Sequence, residues 1–205
     1  MRSRSPATLW MVIAFSVALG VAVLVLAILG TDRRGTDAAL FLTGRVSFLF
    51  FWPAYTGGAI ARLFGPAFQP LKQHTREFGL AFASAHLVHL GLVAWLSWIG
   101  AAPSVSTFVF FGIAAAWTYA LALFSLGRLQ GAVGRYGWWL LRTVGLNYIA
   151  YAFAVDFINS PLGGGPRHII AYLPFAVLSV GGPILRIIDY MSRLSTRRLP
   201  QRGEV

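Results

Sequence analysis

The stretch REFGLAFASAHLVHLGLVAWL, residues 76–96, decides the class of this protein. It begins with the charge pair Arg76 and Glu77 and then contains no further Asp, Glu, Lys or Arg. A helix needs roughly 20 mainly apolar residues to cross the hydrocarbon layer of a membrane, and this stretch has that length. His86 and His89 lie near its middle. The stretch therefore predicts a transmembrane helix that carries two imidazoles where water is scarce.

The composition of the whole chain agrees with this class. Hydrophobic residues make up 57% of the 205 residues and charged residues 11%, and the mean hydropathy is +0.68. A soluble domain usually carries about a quarter charged residues. The chain has no cysteine, which excludes disulfides, thiolate zinc sites and iron–sulfur clusters.

Apolar stretches recur along the chain and predict six transmembrane helices in one domain, residues 1–205. The first stretch is too long for the apolar core of a signal peptide, so we expect it to remain as a helix. The predicted spans are residues 9–29, 39–61, 79–99, 104–126, 136–157 and 169–188. The predicted fold class is an all-α integral membrane protein, a bundle of six transmembrane helices.

The distribution of arginine and lysine predicts the orientation of this bundle. Loops on the cytoplasmic side of a membrane carry an excess of these residues. With a cytoplasmic N-terminus, the outer loops hold only Arg33, Arg34 and Arg167. The inner segments then hold Arg2, Arg4, Arg62, Lys72, Arg76, Arg128, Arg135, Arg193, Arg197, Arg198 and Arg202. Both termini are therefore expected in the cytoplasm, and the expected location is the bacterial inner membrane.

The net charge of +11 comes largely from these basic residues in the loops and at the termini. Basic segments beside transmembrane helices are attracted to anionic lipids. No nucleic-acid-binding motif accompanies them, so we expect the lipid bilayer, and no nucleic acid, as a partner.

The two histidines of the third span are the main candidates for chemistry. His86 and His89 are three residues apart and so lie on neighbouring parts of one helix face. If the helix begins near Gly79, His89 lies about 15 Å deep. A neutral imidazole there can bind heme iron through one nitrogen while the other donates a hydrogen bond. A hydrogen bond across a helix interface is the alternative, and the spacing leaves both open.

Residues 76–96 resemble the signature of the ferric-reductase-like transmembrane domain family. That family includes ferric reductases, NADPH oxidases and the membrane heme subunit of the periplasmic methionine-sulfoxide reductase system. Its pattern on the third of six helices is an Arg, a Leu-Gly-Leu, an Ala-Phe pair and a His ten residues after the Gly. Arg76, Gly79 and His89 match this pattern. The resemblance implies a six-helix fold in which His89 binds heme iron and Arg76 contacts the cofactor.

The family's second signature lies on the fifth helix and is only partly present. Trp139 and Tyr148 match its Trp and Tyr. In the family, two histidines of this helix complete the bis-histidine ligation of heme by the third helix. Thr143 and Asp156 occupy their positions here. Neither residue type is a usual heme ligand.

Two interpretations follow from the partial match. In the first, one heme b is bound by His89, with His86 and Arg76 as further cofactor-binding candidates. The chain is then a transmembrane electron-transfer subunit that works with a quinone or a partner protein. In the second, the chain is a heme-free structural or assembly subunit of a larger membrane complex, in contact with a pigment or quinone. Neither includes a catalytic set of the chain's own, because the sequence has no Ser–His–Asp grouping and no nucleotide fingerprint.

Other charged residues in the spans are expected to be neutralised. A charge within a membrane is costly unless it is paired. Arg45 and Asp156 both lie towards the outer side, and we expect them to form a buried structural pair. Arg186 and Asp189 are three apart and predict a local ion pair near the inner boundary.

Overall fold

The computed structural model describes residues 6–126, 129–131, 133–158 and 165–198. All regular structure in these residues is helical, which confirms the predicted all-α class. Short 3-10 turns cover Pro66–Phe68 and Leu129–Gly131. The α-helices of the described residues are α1 (Pro6–Leu29), α2 (Arg33–Leu63), α3 (Gln69–Gln73), α4 (Thr75–Trp98), α5 (Val105–Leu126), α6 (Gly134–Ile158) and α7 (Pro166–Arg198).

Five helices are long and apolar enough to cross a membrane, namely α1, α2, α4, α5 and α7. They support a membrane protein and five of the predicted spans. The fifth predicted span corresponds to α6, which has the length of a transmembrane helix. This helix carries Arg135, Arg142 and Asp156, so its apolar character is weaker. The second and last helices extend beyond their predicted ends, to Arg33 and Arg198 respectively.

The corner between α1 and α2 is set by glycine and by a cap. Gly30 follows α1 with a φ of 90°, a conformation that glycine adopts without strain. Asp32 caps α2, because its Oδ1 accepts a hydrogen bond from the Gly35 N–H at 3.0 Å. A Cβ atom at Gly35 would lie 1.9 Å from the carbonyl oxygen of Gly30. Only glycine therefore fits this corner.

Two different packing layers hold the bundle together. The first joins α1, α2 and α4 through small residues, which allow helix backbones to approach closely; Ala14, Ala18, Ala22, Ala39, Ala81 and Ala85 are all buried there. The second joins α2, α4, α6 and α7 through aromatic rings; its buried members include Phe48, Phe51, Phe82 and Phe157. The last helix is also tied to α2 by the Trp52 indole, which donates to the Leu178 carbonyl at 2.9 Å.

The two ends of the bundle differ in their connections. At one end α1 meets α2, and α4 meets α5; we call it the Asp32 end. At the other end α2 connects through α3 to α4, and α5 leads to α6; we call it the Lys72 end.

Asp189 near the Lys72 end corrects one of the predicted ion pairs. It is only 3% exposed, and its carboxylate accepts two hydrogen bonds from Arg62 of α2, at 2.6 and 2.7 Å. Arg193, one turn further along α7, also binds it. The predicted pair of Asp189 with Arg186 is wrong, because the Arg186 guanidinium instead lies over the Tyr55 ring, 4.4 Å from its centroid. The helix continues past residue 188 and thereby supplies the better partner at i+4.

Candidate cofactor cavity

A cavity of about 480 Å³ lies between α2, α4, α5, α6 and α7, and its lining includes both histidines of α4. We call it the histidine cavity. Its volume is within the range of sites that hold small organic ligands or cofactors. The lining also includes two residues predicted to form a buried pair, Arg45 and Asp156, together with apolar side chains such as Phe108, Phe111 and Phe153. The fold thus brings together residues from the second, third and fifth predicted spans.

The orientation of the His89 ring is fixed from α2. Its Nδ1 lies 3.1 Å from the hydroxyl oxygen of Thr43. That hydroxyl donates its single proton to the carbonyl of Ala39, at 2.8 Å. With the hydroxyl proton on this carbonyl, Thr43 accepts from His89. In that arrangement Nδ1 carries the ring proton and Nε2 keeps its lone pair.

The His89 ring also packs closely against Gly44 of α2. A Cβ atom at Gly44 would lie 3.6 Å from Cε1 and 3.8 Å from Nδ1 of His89, so this edge of the ring faces α2. With Nδ1 protonated, His89 keeps an unprotonated Nε2 and lines the cavity.

His86 lies beside His89 in the same lining. The two rings are 5.4 Å apart between centroids and nearly parallel, with an angle of 21° between their planes. The Nδ1 of His86 lies 3.3 Å from the hydroxyl of Tyr119 on α5. That hydroxyl is also within 3.4 Å of the Ala83 carbonyl. His86 is thus held by α5, whereas His89 is held by α2.

Arg45 is buried at the cavity with one nitrogen left over. Its Nε donates to the Ala171 carbonyl at 3.1 Å, and its Nη1 donates to the Phe41 carbonyl at 2.9 Å. The guanidinium lies over the Phe41 ring, 3.2 Å from the centroid, and 4.6 Å from the centroid of Tyr172. Its Nη2 is buried and has no hydrogen-bond partner in the described residues. The side chain is therefore a cation held by two backbone carbonyls, and its Nη2 is unused.

Asp156 lines the same cavity but does not contact Arg45 directly. The ion pairs of the described residues are Arg33–Asp37, Arg62–Asp189 and Arg193–Asp189. Asp156 and Arg45 are nonetheless close enough to interact through space. The pairing of Arg45 with Asp156 stays a prediction. The two opposite charges would offset one another across the cavity, without a direct hydrogen bond.

Arg76 lies at a different cavity. This second cavity, about 240 Å³, lies between α2, α4, α5 and α6 and is also lined by Arg142; we call it the arginine cavity. Phe82, Thr118 and Ile149 line both cavities and form the boundary between them. The structure therefore does not place Arg76 with His89, and the predicted set of His89, His86 and Arg76 is divided over two sites.

The fifth-helix positions of the family signature also separate. Asp156 lines the histidine cavity, whereas Thr143 is absent from the described lining of both cavities. Tyr148 binds the Phe110 carbonyl of α5 through its hydroxyl, at 3.2 Å, and so joins two helices. Trp139 is exposed.

Sequence reasoning missed Thr43, Gly44 and Tyr119, which hold the histidines in place. Each is a polar or small residue within an apolar span, and such residues often lie at helix interfaces in membranes. That signal could have identified them as interface residues. It could not have assigned them to His86 or His89, because they lie on other helices.

Comparison with protein-family models, with curated proteins and with solved structures gives no match to this chain. The function is therefore inferred from the geometry of the two cavities.

Proposed function

We propose that this chain is a membrane subunit with six spans and both termini in the cytoplasm, so that the Lys72 end faces inwards. In this proposal its histidine cavity would hold one heme b, and His89 would bind its iron. Bound heme would supply one-electron chemistry by cycling between ferric and ferrous iron. The observation that carries the proposal is the Thr43–His89 contact at Nδ1, on a histidine that lines a cavity of cofactor size. With Thr43 as the acceptor, Nε2 is the nitrogen that remains for a metal.

The donor set of the cavity fits such a cofactor in two respects. Iron binds a neutral imidazole whose other nitrogen donates a hydrogen bond, and Thr43 supplies the acceptor for it. Heme also carries carboxylates, which need cationic or donor groups in a low-dielectric site. Arg45 is a cation of the cavity lining, and its buried Nη2 has no hydrogen-bond partner in the described residues.

The α6 wall of the cavity would offer heme iron no imidazole. The α6 residues in the lining are Ile149, Ala152, Phe153 and Asp156, and none of them is an imidazole. His86 is on the same helix face as His89, so it would not supply a ligand from the α6 side. The described lining therefore provides His89 as a ligand, apolar side chains and one cation for a carboxylate.

Transfer across the membrane needs a second carrier in this proposal. A carrier at mid-membrane has roughly 15 Å of hydrocarbon on either side of it, half the thickness of the layer. We infer that a quinone or another membrane subunit exchanges electrons with this chain.

The decisive experiment is a heme titration of the purified protein in detergent. We expect binding of one heme per chain, with a Soret band and an α-band that appears on reduction. His89→Ala should abolish both bands. The matched control His86→Ala, three residues away, should retain most of the binding.

A wild-type protein that stays colourless after hemin is added would overturn the proposal. The heme-free alternative, a structural or assembly subunit of a larger complex, would then be examined through the proteins and pigments that co-purify in mild detergent.

A further inference from the structure

We propose that the arginine cavity binds the phosphate headgroup of an anionic phospholipid. This inference rests on the membrane class and on the predicted orientation, and it is independent of heme in the histidine cavity.

The charge of the cavity is the first argument. Its lining contains the two cations Arg76 and Arg142 and, among the described residues, no Asp or Glu. Arg76 uses Nη2 to donate to the Ser125 carbonyl at 3.0 Å, which fixes its side chain against the end of α5. The cavity therefore has a positive wall that no acidic side chain of the lining neutralises.

A third arginine makes this charge more costly. Arg142 and Arg186 are close enough to repel one another. In the described part of the chain, neither forms an ion pair with an acidic residue. Arg186 stacks on Tyr55, and its Nη1 is buried without a hydrogen-bond partner. Uncompensated charges inside a membrane protein are expensive and mark binding sites. An anion in the cavity would offset the repulsion.

The position of the cavity favours a lipid headgroup. Its polar rim is formed where α4 begins, where α5 ends and where α6 begins, at Thr75, Ser125 and Trp138. All three lie at the Lys72 end, which faces the cytoplasm in the predicted orientation. The cytoplasmic leaflet carries anionic lipids, and basic pockets between helices on this side bind their headgroups.

The deeper part of the cavity suits the apolar portion of the same molecule. Leu80, Leu121 and Leu146 line it together with Phe51. Arg142 lies about 12 Å along α6 from Gly134, since eight residues separate them at 1.5 Å each. A phosphate between Arg76 and Arg142 would therefore sit below the membrane surface, with its glycerol and acyl groups against these apolar side chains.

Native mass spectrometry of the full chain in mild detergent tests the inference. We expect retention of one phosphatidylglycerol, and much less retention of phosphatidylcholine with the same acyl chains. Arg142→Gln should weaken phosphatidylglycerol binding about tenfold or more, because it removes charge-assisted hydrogen bonds. The matched control Arg135→Gln changes an exposed arginine of the same helix outside the cavity and should bind as wild type does.

Inorganic phosphate serves as the second probe and distinguishes the two sources of the anion. If phosphate alone competes at concentrations similar to those of the lipid, the site recognises a free anion and the lipid inference is overturned. Equal losses in Arg142→Gln and Arg135→Gln would overturn it as well, because they would indicate attraction by net charge alone.

Thermal unfolding separates a loss of lipid binding in Arg142→Gln from a loss of folding. Without lipid, Arg142→Gln should unfold at the same temperature as wild type or higher, since it removes the repulsion by Arg186. If it fails to fold, Arg76→Gln at the rim replaces it and must lose phosphatidylglycerol, while Arg76→Lys must retain it within a few-fold. Wild-type binding in Arg76→Gln would contradict the proposal.

Discussion

The hydroxyl of Thr43 on α2 lies 3.1 Å from Nδ1 of His89 on α4. With the Thr43 proton on the Ala39 carbonyl of its own helix, the contact favours the imidazole proton on Nδ1. One contact between two helices thus selects which nitrogen of His89 can serve as a ligand. The proposed heme site depends on it.

Removing this acceptor should weaken cofactor binding without unfolding the protein. In Thr43→Val the ring of His89 loses its hydrogen bond while the side-chain volume is kept. Loss of such an outer partner typically costs 10–100-fold in affinity for the ligated metal, so we expect a reduction of about that size in the heme titration.

Thr118→Val is the matched control for this substitution. Thr118 also lines the histidine cavity, but its hydroxyl binds the Ala114 carbonyl of its own helix at 2.9 Å. The Thr118→Val variant should bind heme with the same affinity as the wild-type protein. Equal losses in the two variants would show that Thr43 does not act through His89.

Arg45 and Asp156 should be energetically coupled across the cavity. We expect a double-mutant cycle with Arg45→Gln and Asp156→Asn to give an interaction free energy of about 0.5–3 kcal/mol, because each single change leaves the other charge uncompensated. Unfolding in detergent measures it. If the two effects add to within about 0.5 kcal/mol, the predicted pairing is absent.

The α1–α2 corner should not tolerate a side chain at residue 35. In Gly35→Ala the new Cβ would lie 1.9 Å from the Gly30 carbonyl oxygen. We expect a loss of about 1–3 kcal/mol in the free energy of unfolding, the usual cost of overpacking. Gly20→Ala on α1 is the control, since nothing lies within 4 Å of its added Cβ. Thermal unfolding of both variants in one detergent makes the comparison, and similar midpoints would argue against a steric limit at this corner.

The Asp189 pairs should matter more than the exposed pair at the opposite end. Asp189→Asn weakens contacts with both Arg62 and Arg193, and we expect a loss of about 1–3 kcal/mol, discounted for the partly exposed arginines. Asp37→Asn breaks the 3.7 Å pair with Arg33. The Arg33 side chain is 77% exposed and the Asp37 side chain 54% exposed. That change should cost about 0–1 kcal/mol. Similar losses in denaturant unfolding of the two variants would contradict the structural role of Asp189.

The sequence by itself determined the properties that depend on neighbouring residues. Hydropathy and charge predicted the helical membrane class, and the spacing of His86 and His89 placed them on one helix face. The weakly apolar α6 shows the limit of that signal, since Arg142 and Asp156 lower its hydropathy although it packs among the other helices. Both side chains line cavities, and hydropathy does not record this because it depends on which helices pack around α6.

Only the tertiary structure decided which helices face one another. Thr43 meets His89 across 46 positions and Arg62 meets Asp189 across 127, whereas Arg186 turns to Tyr55 instead of its near neighbour. The same packing separates Arg76 from His89 and leaves Arg45 beside Asp156 without a direct bond. The physical reason is that the period of a helix fixes which residues share a face. The rotation of that face relative to other helices is set by packing between them, and no local pattern encodes it.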